Sequence, residues 1–353
     1  MSFRTTKTSC LLLLFGSFSV LANAQNTFMD SVLKAQGKLP HHIWEGSGDD
    51  NFVCYKQAHR NTFFVITGLI ILVAIVAIKL LLLNKKTNKI LQTKNEIIEE
   101  KNKNITDSIN YAKRLQTAIL PPKDLVKNIL PEHFILYEPK DIVSGDFYWV
   151  SGHENKIMVA AIDCTGHGVP GALLSIVGHN AINQTVNELA IIQPSKVLDS
   201  MNTIIKKILH QDKGSDIRDG MDMALCTFDK ETNTLEYSGA NNPVYIVSDN
   251  KLTITKGSKL TVGSMEEDKK EPPANHIIQL KKGDCFYIFS DGFADQFGGK
   301  DNKKFKTSRF QELLVSVNAL SMTEQQKTIH QKFKDWQGNN EQVDDILVMG
   351  IRV

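Results

Sequence analysis

The chain has 353 residues, of which 42% are hydrophobic and 23% are charged, and its formal net charge is +2. This length and composition suffice for one sizeable core with accessory segments, and they exclude a collagen-like or wholly disordered chain. Opposite charges are interspersed through the polar part of the chain, which gives no support to nucleic acid or another polyanion as a partner.

The N-terminus predicts a secretory signal peptide over residues 1–24. Basic residues precede an apolar run that begins at Leu11, and Ala22-Asn23-Ala24 is a small-residue cleavage pattern. A short exported segment follows, residues 25–62, with Cys54 as its single cysteine. A segment this short that has no disulfide pair seldom folds alone. An independent sensor domain is therefore not expected there.

A second apolar run covers residues 63–83, and its length matches the roughly 20 residues needed to cross a bilayer core. Lys79 lies near the C-terminal end, where its stem can stay in lipid while the ammonium group reaches the interface. Basic residues are sparse before the run and frequent after it, namely Lys85, Lys86, Lys89, Lys94, Lys101 and Lys103. The positive-inside rule therefore predicts a single-pass protein of the cell inner (cytoplasmic) membrane, with its C-terminal part in the cytoplasm.

Residues 84–120 are rich in Lys, Asn and Glu and are predicted to form a helical linker. Apolar residues recur every seven positions, at Leu91, Ile98, Ile105, Ala112 and Ile119, while the second seam position is mostly polar. This pattern is typical of a helical rod or a loose parallel coiled coil. Two interpretations stay open: a signalling helix that joins two copies in a homodimer, or a solvated spacer.

Residues 121–353 are predicted to form the folded domain, beginning at Pro121 and Pro122, which end the linker helix. Helices are predicted at about 170–190, 194–210, 308–319 and 323–336. Short apolar runs bounded by turn residues predict strands at Phe134–Glu138, Phe147–Val150, Ile157–Ile162, Met221–Phe228, Leu235–Tyr237, Val244–Val247, Ile277–Leu280, Cys285–Phe289 and Ile346–Val353. Runs of strands with helices inserted between them favour an α+β layered domain.

A glycine-rich turn follows the third of these strands. Gly166, Gly168 and Gly171 match the Gly-x-Gly-x-x-Gly spacing of dinucleotide-binding loops. However, Asp163 occupies the strand end, Pro170 interrupts the turn, and the rest of a βαβ repeat does not follow. A metal site is the better interpretation, because an acid at a strand end can project into a cleft while glycines let a phosphate approach the backbone.

Five aspartates lie beside glycine turns or directly before apolar strands: Asp146, Asp163, Asp291, Asp344 and Asp345. Any one of them could be an ordinary turn or strand cap. Hard divalent cations prefer oxygen ligands, so acids that converge from distant strand ends are the expected way to build a magnesium or manganese site. The set therefore predicts a two-metal hydrolase. Asp222 also precedes an apolar strand, with a supporting role near the metals or a capping role equally open.

Several ordered motifs together resemble a known family. They are Ser144-Gly145-Asp146-Phe147-Tyr148-Trp149, Asp163-Cys164-Thr165-Gly166-His167-Gly168, Tyr237-Ser238-Gly239-Ala240-Asn241-Asn242-Pro243, Phe289-Ser290-Asp291-Gly292 and Asp344-Asp345-Ile346. Over residues 141–353 the chain resembles the SpoIIE-like branch of the metal-dependent type 2C (PPM family) serine/threonine protein phosphatases. The stretch from Asp107 to Pro121 resembles the linker ahead of such domains in membrane-anchored bacterial sensors.

The resemblance implies a sandwich of two antiparallel β-sheets flanked by α-helices, with two Mn²⁺ or Mg²⁺ ions at one end. By motif, Asp163 would bridge the ions, and Asp291 and Asp344 would complete one metal site. Asp146 and the Cys164 carbonyl would complete the other. Asp345 is the alternative to Asp344, because neighbouring side chains at a strand start point to opposite faces and only one should bind.

The implied activity is hydrolysis of phosphoserine or phosphothreonine in a protein, by water that the two cations activate for in-line attack. His167 is a candidate proton donor to the leaving group, although a turn-packing role is the alternative. By analogy with the family, the substrate is a phosphorylated cytoplasmic regulator such as an anti-sigma-factor antagonist. A different class stays open: a membrane-tethered signalling scaffold whose phosphatase-like domain binds a partner without catalysis.

Overall fold

The computed structural model describes residues 48–210, 219–264 and 271–353, with side chains described from residue 57 onward. The chain divides into two compact units, one that ends at Glu96 and one that spans Ile97–Val353. The predicted signal peptide and residues 25–47 of the predicted exported segment lie outside the described residues. A long helix, α1, covers Gly48–Ile119 and includes both the predicted membrane span and the predicted linker.

The apolar part of α1 lacks protein neighbours in the described chain. Its large hydrophobic side chains between Phe63 and Leu83 are 45–71% exposed. It is the one described helix that is long and apolar enough to cross a membrane. Length and composition alone do not separate a membrane span from other apolar helices, so the span stays a prediction.

The second unit contains a sandwich of two five-stranded antiparallel sheets. The first sheet has the order β1-β12-β9-β6-β7, with β1 at His133–Glu138, β12 at Ile346–Arg352, β9 at Cys285–Phe289, β6 at Val244–Ser248 and β7 at Lys251–Thr255. The second has the order β2-β3-β4-β5-β8, with β2 at Phe147–His153, β3 at Lys156–Cys164, β4 at Met221–Asp229, β5 at Thr234–Ala240 and β8 at His276–Gln279. The predicted α+β fold of two antiparallel sheets is confirmed.

Helices flank the sandwich, on the outer faces of the sheets except for the first helix after α1, whose Val126 packs into the core between the sheets. They are α2 at Lys123–Ile129, α3 at Gly168–Asn183 followed by a π-helical turn at Gln184–Glu188, α4 at Pro194–Ile208, α5 at Gly292–Asp295, α6 at Thr307–Val317 and α7 at Met322–Gln337. Two residue pairs, β10 at Phe297–Gly298 and β11 at Lys303–Lys304, form a separate small hairpin. The helix α7 begins with a capping box, in which Ser321 accepts from the Glu324 N–H and the Glu324 side chain accepts in return.

The central strands are apolar on both faces because each face contacts a different core. In β9, Phe286 and Ile288 lie in the core between the sheets, whereas Cys285, Tyr287 and Phe289 pack against α6 and α7. A strand buried on both sides reads as a continuous apolar run, which explains why its predicted limits match the observed ones.

Most predicted elements are present with boundaries shifted by a few residues, but the short elements α2, α5, β7, β10 and β11 were not predicted. The strand β7 lies at a sheet edge, where it pairs with β6, and most of its residues are exposed. The helix α2 has seven residues and buries only Val126. Both elements depend on tertiary neighbours more than on a sequence period of their own.

Candidate active site

Asp163 and Asp222 lie at the same end of the sandwich. Successive side chains of a strand point to opposite faces of the sheet, so every second residue faces the core. In β3, Ile157, Val159 and Ala161 point into the core between the sheets, so Asp163 continues that face at the strand end. In the neighbouring strand β4, Asp222 is the direct register partner of Asp163. The apolar core thus ends in a pair of carboxylates.

The Ser144–Asp146 segment reaches the same end of the sandwich just before β2 begins. Asp146 is 2% exposed. Its loop packs tightly against the glycine-rich turn, since a Cβ on Gly145 would lie 2.5 Å from the carbonyl oxygen of Gly166. A Cβ on Gly171 would also clash with that oxygen. These two glycines therefore permit close approach of two backbone segments.

Asp291, Asp344 and Asp345 arrive from the other sheet, at the end of β9 and the start of β12. Asp345 is 2% exposed, and its two carboxylate oxygens accept hydrogen bonds from the backbone N–H groups of Lys140 (2.7 Å) and Gly145 (2.8 Å). Asp344 instead faces a cleft with Asp291. Its Oδ1 accepts a hydrogen bond from the Asp345 N–H at 2.8 Å. Asp344 and Asp345 thus have different surroundings.

The cleft has a volume of about 230 Å³. It is lined by Asp163, Cys164, Thr165, Gly166, His167, Asp222, Thr261, Asp291 and Asp344. Four of these lining residues are acidic, and none of the described ones is a lysine or an arginine. A phosphate dianion would be repelled from such a surface, so any phosphate chemistry here requires bound cations.

Mutual repulsion and burial raise the pKa values of the acids. The pKa of Asp146 lies well above its ordinary value because of burial and then the charge of Asp163. Burial and then the charges of Asp291 and Asp344 raise the pKa of Asp163 to about 8. For Asp291, partial desolvation and then the charge of Asp344 raise the pKa to about 6. Carboxylates this close share protons unless a cation compensates their charge.

The metal-free protein is therefore expected to lose stability as the pH rises from about 4 to about 8. The pKa of Asp163 is 3.8 ordinarily and about 8 in the folded chain, so the folded state binds more protons than the unfolded state within this window. Its free energy of unfolding then falls with pH. Thermal denaturation of the chelator-treated protein at several pH values checks this.

Mn²⁺ added at about pH 8 should restore that stability, because the ions bind the deprotonated carboxylates. The Asp163→Asn variant should show a weaker pH dependence without metal, whereas Asp249→Asn, on an exposed turn, should keep the wild-type slope. A metal-free melting temperature that rises from about pH 5 to about pH 8 would contradict the assignment of these pKa shifts.

The donor set fits hard divalent ions. The Oδ2 atom of Asp146 is buried without a hydrogen-bond partner, an arrangement that costs free energy unless a further group binds there. The available donors are carboxylate and carbonyl oxygens, which Mn²⁺ and Mg²⁺ prefer. In the described ranges, no group of three or more His, Cys, Asp or Glu side chains is placed to hold a metal ion as the side chains stand. The acids line a cleft instead of forming a closed cluster.

His167 lies on the edge of the cleft. Its side chain is 50% exposed, and its Nδ1 lies 2.9 Å from Oδ2 of Asp141. The contact with Asp141 is what either a proton donor or a turn-packing residue would make, so both interpretations of His167 stay open. Because Asp141 engages Nδ1, the other ring nitrogen is the one available to exchange a proton with a bound substrate.

The antiparallel pairing of β3 with β2 and β4 excludes the dinucleotide-binding alternative, which needs a parallel βαβ unit. Two residues of the site were not singled out as site residues from sequence. Asp141 had no signal beyond being an acid before a turn. The role of Asp222 was left open from the sequence. Asp222 lies in the cleft, where its Oδ1 accepts hydrogen bonds from Asn241 and Thr261, both at 2.9 Å.

Comparison with known families identifies the domain. The model of the family described as stage II sporulation protein E (SpoIIE) matches residues 153–353. This chain belongs to the SpoIIE family. Its folded unit is a PP2C-type serine/threonine phosphatase domain, of the PPM class that uses divalent metals. The family match begins after Asp146, which is buried near Asp163 but is not among the residues that line the cleft.

Solved structures show the same fold. The SiaA-PP2C domain of Pseudomonas aeruginosa is 29% identical with a TM-score of 0.66, and the match covers 71% of this chain and 98% of that one. The PP2C domain of SpoIIE from Bacillus subtilis, with a fragment of its regulatory domain, is 19% identical with a TM-score of 0.50, covering 63% of each chain. The RsbU and RsbW domains of a Mycobacterium tuberculosis protein are 16% identical with a TM-score of 0.50, covering 63% of this chain and 60% of that one. No curated protein matches the sequence.

Proposed function

We propose that this SpoIIE-family domain hydrolyses phosphoserine or phosphothreonine in a cytoplasmic regulatory protein, using two Mn²⁺ or Mg²⁺ ions. The observation that supports this most directly is the convergence of Asp163, Asp291 and Asp344 in one cleft that has no cationic side chain among its described lining residues. In this proposal Asp163 would hold both ions, Asp291 and Asp344 would help to hold one of them, and Asp146 with the Cys164 carbonyl would help to hold the other.

Asp344 is the proposed ligand of the acidic doublet. Its carboxylate faces the cleft, whereas both oxygens of Asp345 already accept backbone hydrogen bonds. Asp345 then has a structural role, since it ties the start of β12 to Gly145, next to Asp146. Asp222 lies opposite Asp163 and is oriented by Asn241 and Thr261, so it supports the negative field that attracts the ions.

The bound ions supply positive charge that acidifies water and neutralises the phosphate oxygens. His167 is proposed to give the departing serine or threonine oxygen its proton from the ring nitrogen that does not face Asp141. Asp141 orients the ring through its contact with Nδ1. The overall reaction consumes one water and yields the free hydroxyl side chain and inorganic phosphate.

The proposed setting is the inner membrane, with the exposed apolar stretch of α1 as its single span and the phosphatase domain in the cytoplasm. The distribution of lysines around that stretch and the N-terminal signal sequence support this orientation. The exposed seam residues Leu91, Ile98 and Ile105 support a homodimer through the linker. By analogy with the family, the substrate is a regulator of the anti-sigma-factor-antagonist class.

The test uses the full chain in detergent and follows phosphate release from a phosphoserine peptide and from candidate phosphorylated regulators. We expect release with Mn²⁺ and at least about 100-fold less with chelator, because removal of the ions leaves only repulsive carboxylates. Restored activity after Mn²⁺ is added back separates metal removal from denaturation. Equal rates with metal and with chelator would contradict the proposal, and binding of a regulator without hydrolysis would favour the scaffold alternative.

A further inference from the structure

The last turn of α1 contains a buried polar side chain that the phosphatase chemistry does not explain. Gln116 is 4% exposed, while its neighbours Leu115 and Thr117 are exposed. A buried amide is costly unless its donors and its acceptor are all bonded. In Gln116, Nε2 donates to the Ser144 carbonyl (2.5 Å) and to the Ser175 hydroxyl (2.9 Å), and Oε1 accepts from the Ser144 N–H (3.1 Å).

The segment that Gln116 binds is the one that presents Asp146. Because residues 144–146 precede β2, side chains rather than a neighbouring strand satisfy their backbone. Gln116 bonds both backbone groups of Ser144, Asp345 accepts from the Gly145 N–H, and the Ser144 hydroxyl accepts from the Asp146 N–H at 3.0 Å. The Asp146 carbonyl accepts from the Tyr137 hydroxyl at 3.1 Å. The conformation of this segment is therefore set by a few side-chain bonds.

We propose that Gln116 is a positioning residue that holds the Ser144–Asp146 segment so that the buried Asp146 carboxylate, whose Oδ2 has no hydrogen-bond partner, can reach a metal ion. This inference rests on the proposed function, because it takes Asp146 as a metal ligand. Partners of ligands that fix ligand orientation typically contribute 10–100-fold to metal affinity. Gln116 acts one step further back, through the backbone of Ser144, and among the described residues the only other group it binds is Ser175 on α3.

The test compares Gln116→Met, which keeps the shape and removes the hydrogen bonds, with the wild-type full chain in detergent. We expect the Mn²⁺ dissociation constant, measured by calorimetry, to rise about tenfold or more. The rate at saturating Mn²⁺ should stay within about threefold of wild type, because the ligands themselves are intact. In the metal-free protein, hydrogen exchange of the Ser144 amide should become faster, since that N–H loses its acceptor.

Three further variants separate positioning from packing. Ser175→Ala removes the bond of Gln116 to α3 but keeps both bonds to Ser144, so its Mn²⁺ affinity should change by less than about threefold. Thr117→Ala, on the exposed side of the same turn, should change nothing. Gln116→Glu keeps the acceptor for the Ser144 N–H and loses the donors, so it should partly restore protection of that amide and serves if Gln116→Met does not fold.

An Mn²⁺ affinity of Gln116→Met within about twofold of wild type would overturn the proposal. So would an equal loss of affinity in Ser175→Ala, which would indicate general loosening of α3. A wild-type chain that binds no Mn²⁺ contradicts the proposed function instead. In that case, exchange of the Ser144 amide in the metal-free variants still decides whether Gln116 holds the segment.

Discussion

Asp163→Asn is expected to lower phosphate release by about 1,000-fold or more at saturating Mn²⁺. Asp163 is the proposed bridge between the ions, and an amide offers one neutral oxygen where the carboxylate offers two charged ones. Metal ions supply several kcal/mol of charge stabilisation in the transition state. Since each 1.36 kcal/mol is a factor of ten in rate, loss of the metal pair accounts for the expected magnitude. Steady-state hydrolysis of a phosphoserine peptide measures it.

The same variant should not lose stability without metal. Replacing Asp163 removes a charge that raises the pKa of Asp146, so the chelator-treated variant should unfold at the same temperature as wild type or higher at about pH 8. The matched control is Asp249→Asn, the same chemical change on a side chain that is 81% exposed, and it should leave activity and stability unchanged. Wild-type activity in the Asp163→Asn variant would contradict the proposed two-metal mechanism.

Substitutions of the acidic doublet are expected to separate catalysis from folding. Asp344→Asn should lower Mn²⁺-dependent activity by about 100-fold or more, while the free energy of unfolding without metal stays the same or rises, because an amide oxygen can still accept from the Asp345 N–H. Asp345→Asn should lower the free energy of unfolding by about 1–3 kcal/mol. Its amide must place a donor against the N–H of Lys140 or Gly145, which leaves a donor unsatisfied.

Chemical denaturation and Mn²⁺ titration of both variants supply the comparison. Each substitution has the other as its matched control, since the two residues are adjacent and the chemical change is identical. Loss of metal binding in Asp345→Asn with normal stability, together with full activity in Asp344→Asn, would reverse the assignment and make Asp345 the ligand.

The sequence pointed to this end of the sandwich because acidic residues coincide there with predicted strand ends. Asp163 follows an apolar strand and opens a glycine turn, and Asp291 and Asp344 lie at other strand ends in the same motif order. All strands of a sandwich begin and end at one of its two ends, so acids at strand ends are often brought close together. The structure places these three along one cleft, and their role as metal ligands stays a proposal.

The choice within the acidic doublet was not predictable. Leu347, Met349 and Ile351 of β12 point into the core between the sheets, so simple alternation would turn Asp345 inward toward the metals. Asp345 is indeed buried, but its carboxylate binds the N–H groups of Lys140 and Gly145, which lie 205 and 200 residues away in sequence. These long-range hydrogen bonds, which no local period predicts, decide what Asp345 contacts.

By itself, the sequence determined most strands and helices, the acidic chemistry and the likeness to metal-dependent phosphatases. These properties depend on side-chain type and on periods of two, 3.6 and seven residues, which are local. Only the tertiary structure decided that Asp222 faces Asp163, that His167 pairs with Asp141, and that Gln116 holds Ser144. Each of these is a contact between distant segments, and its partner is fixed by packing of the sheets and helices rather than by any pattern along the chain.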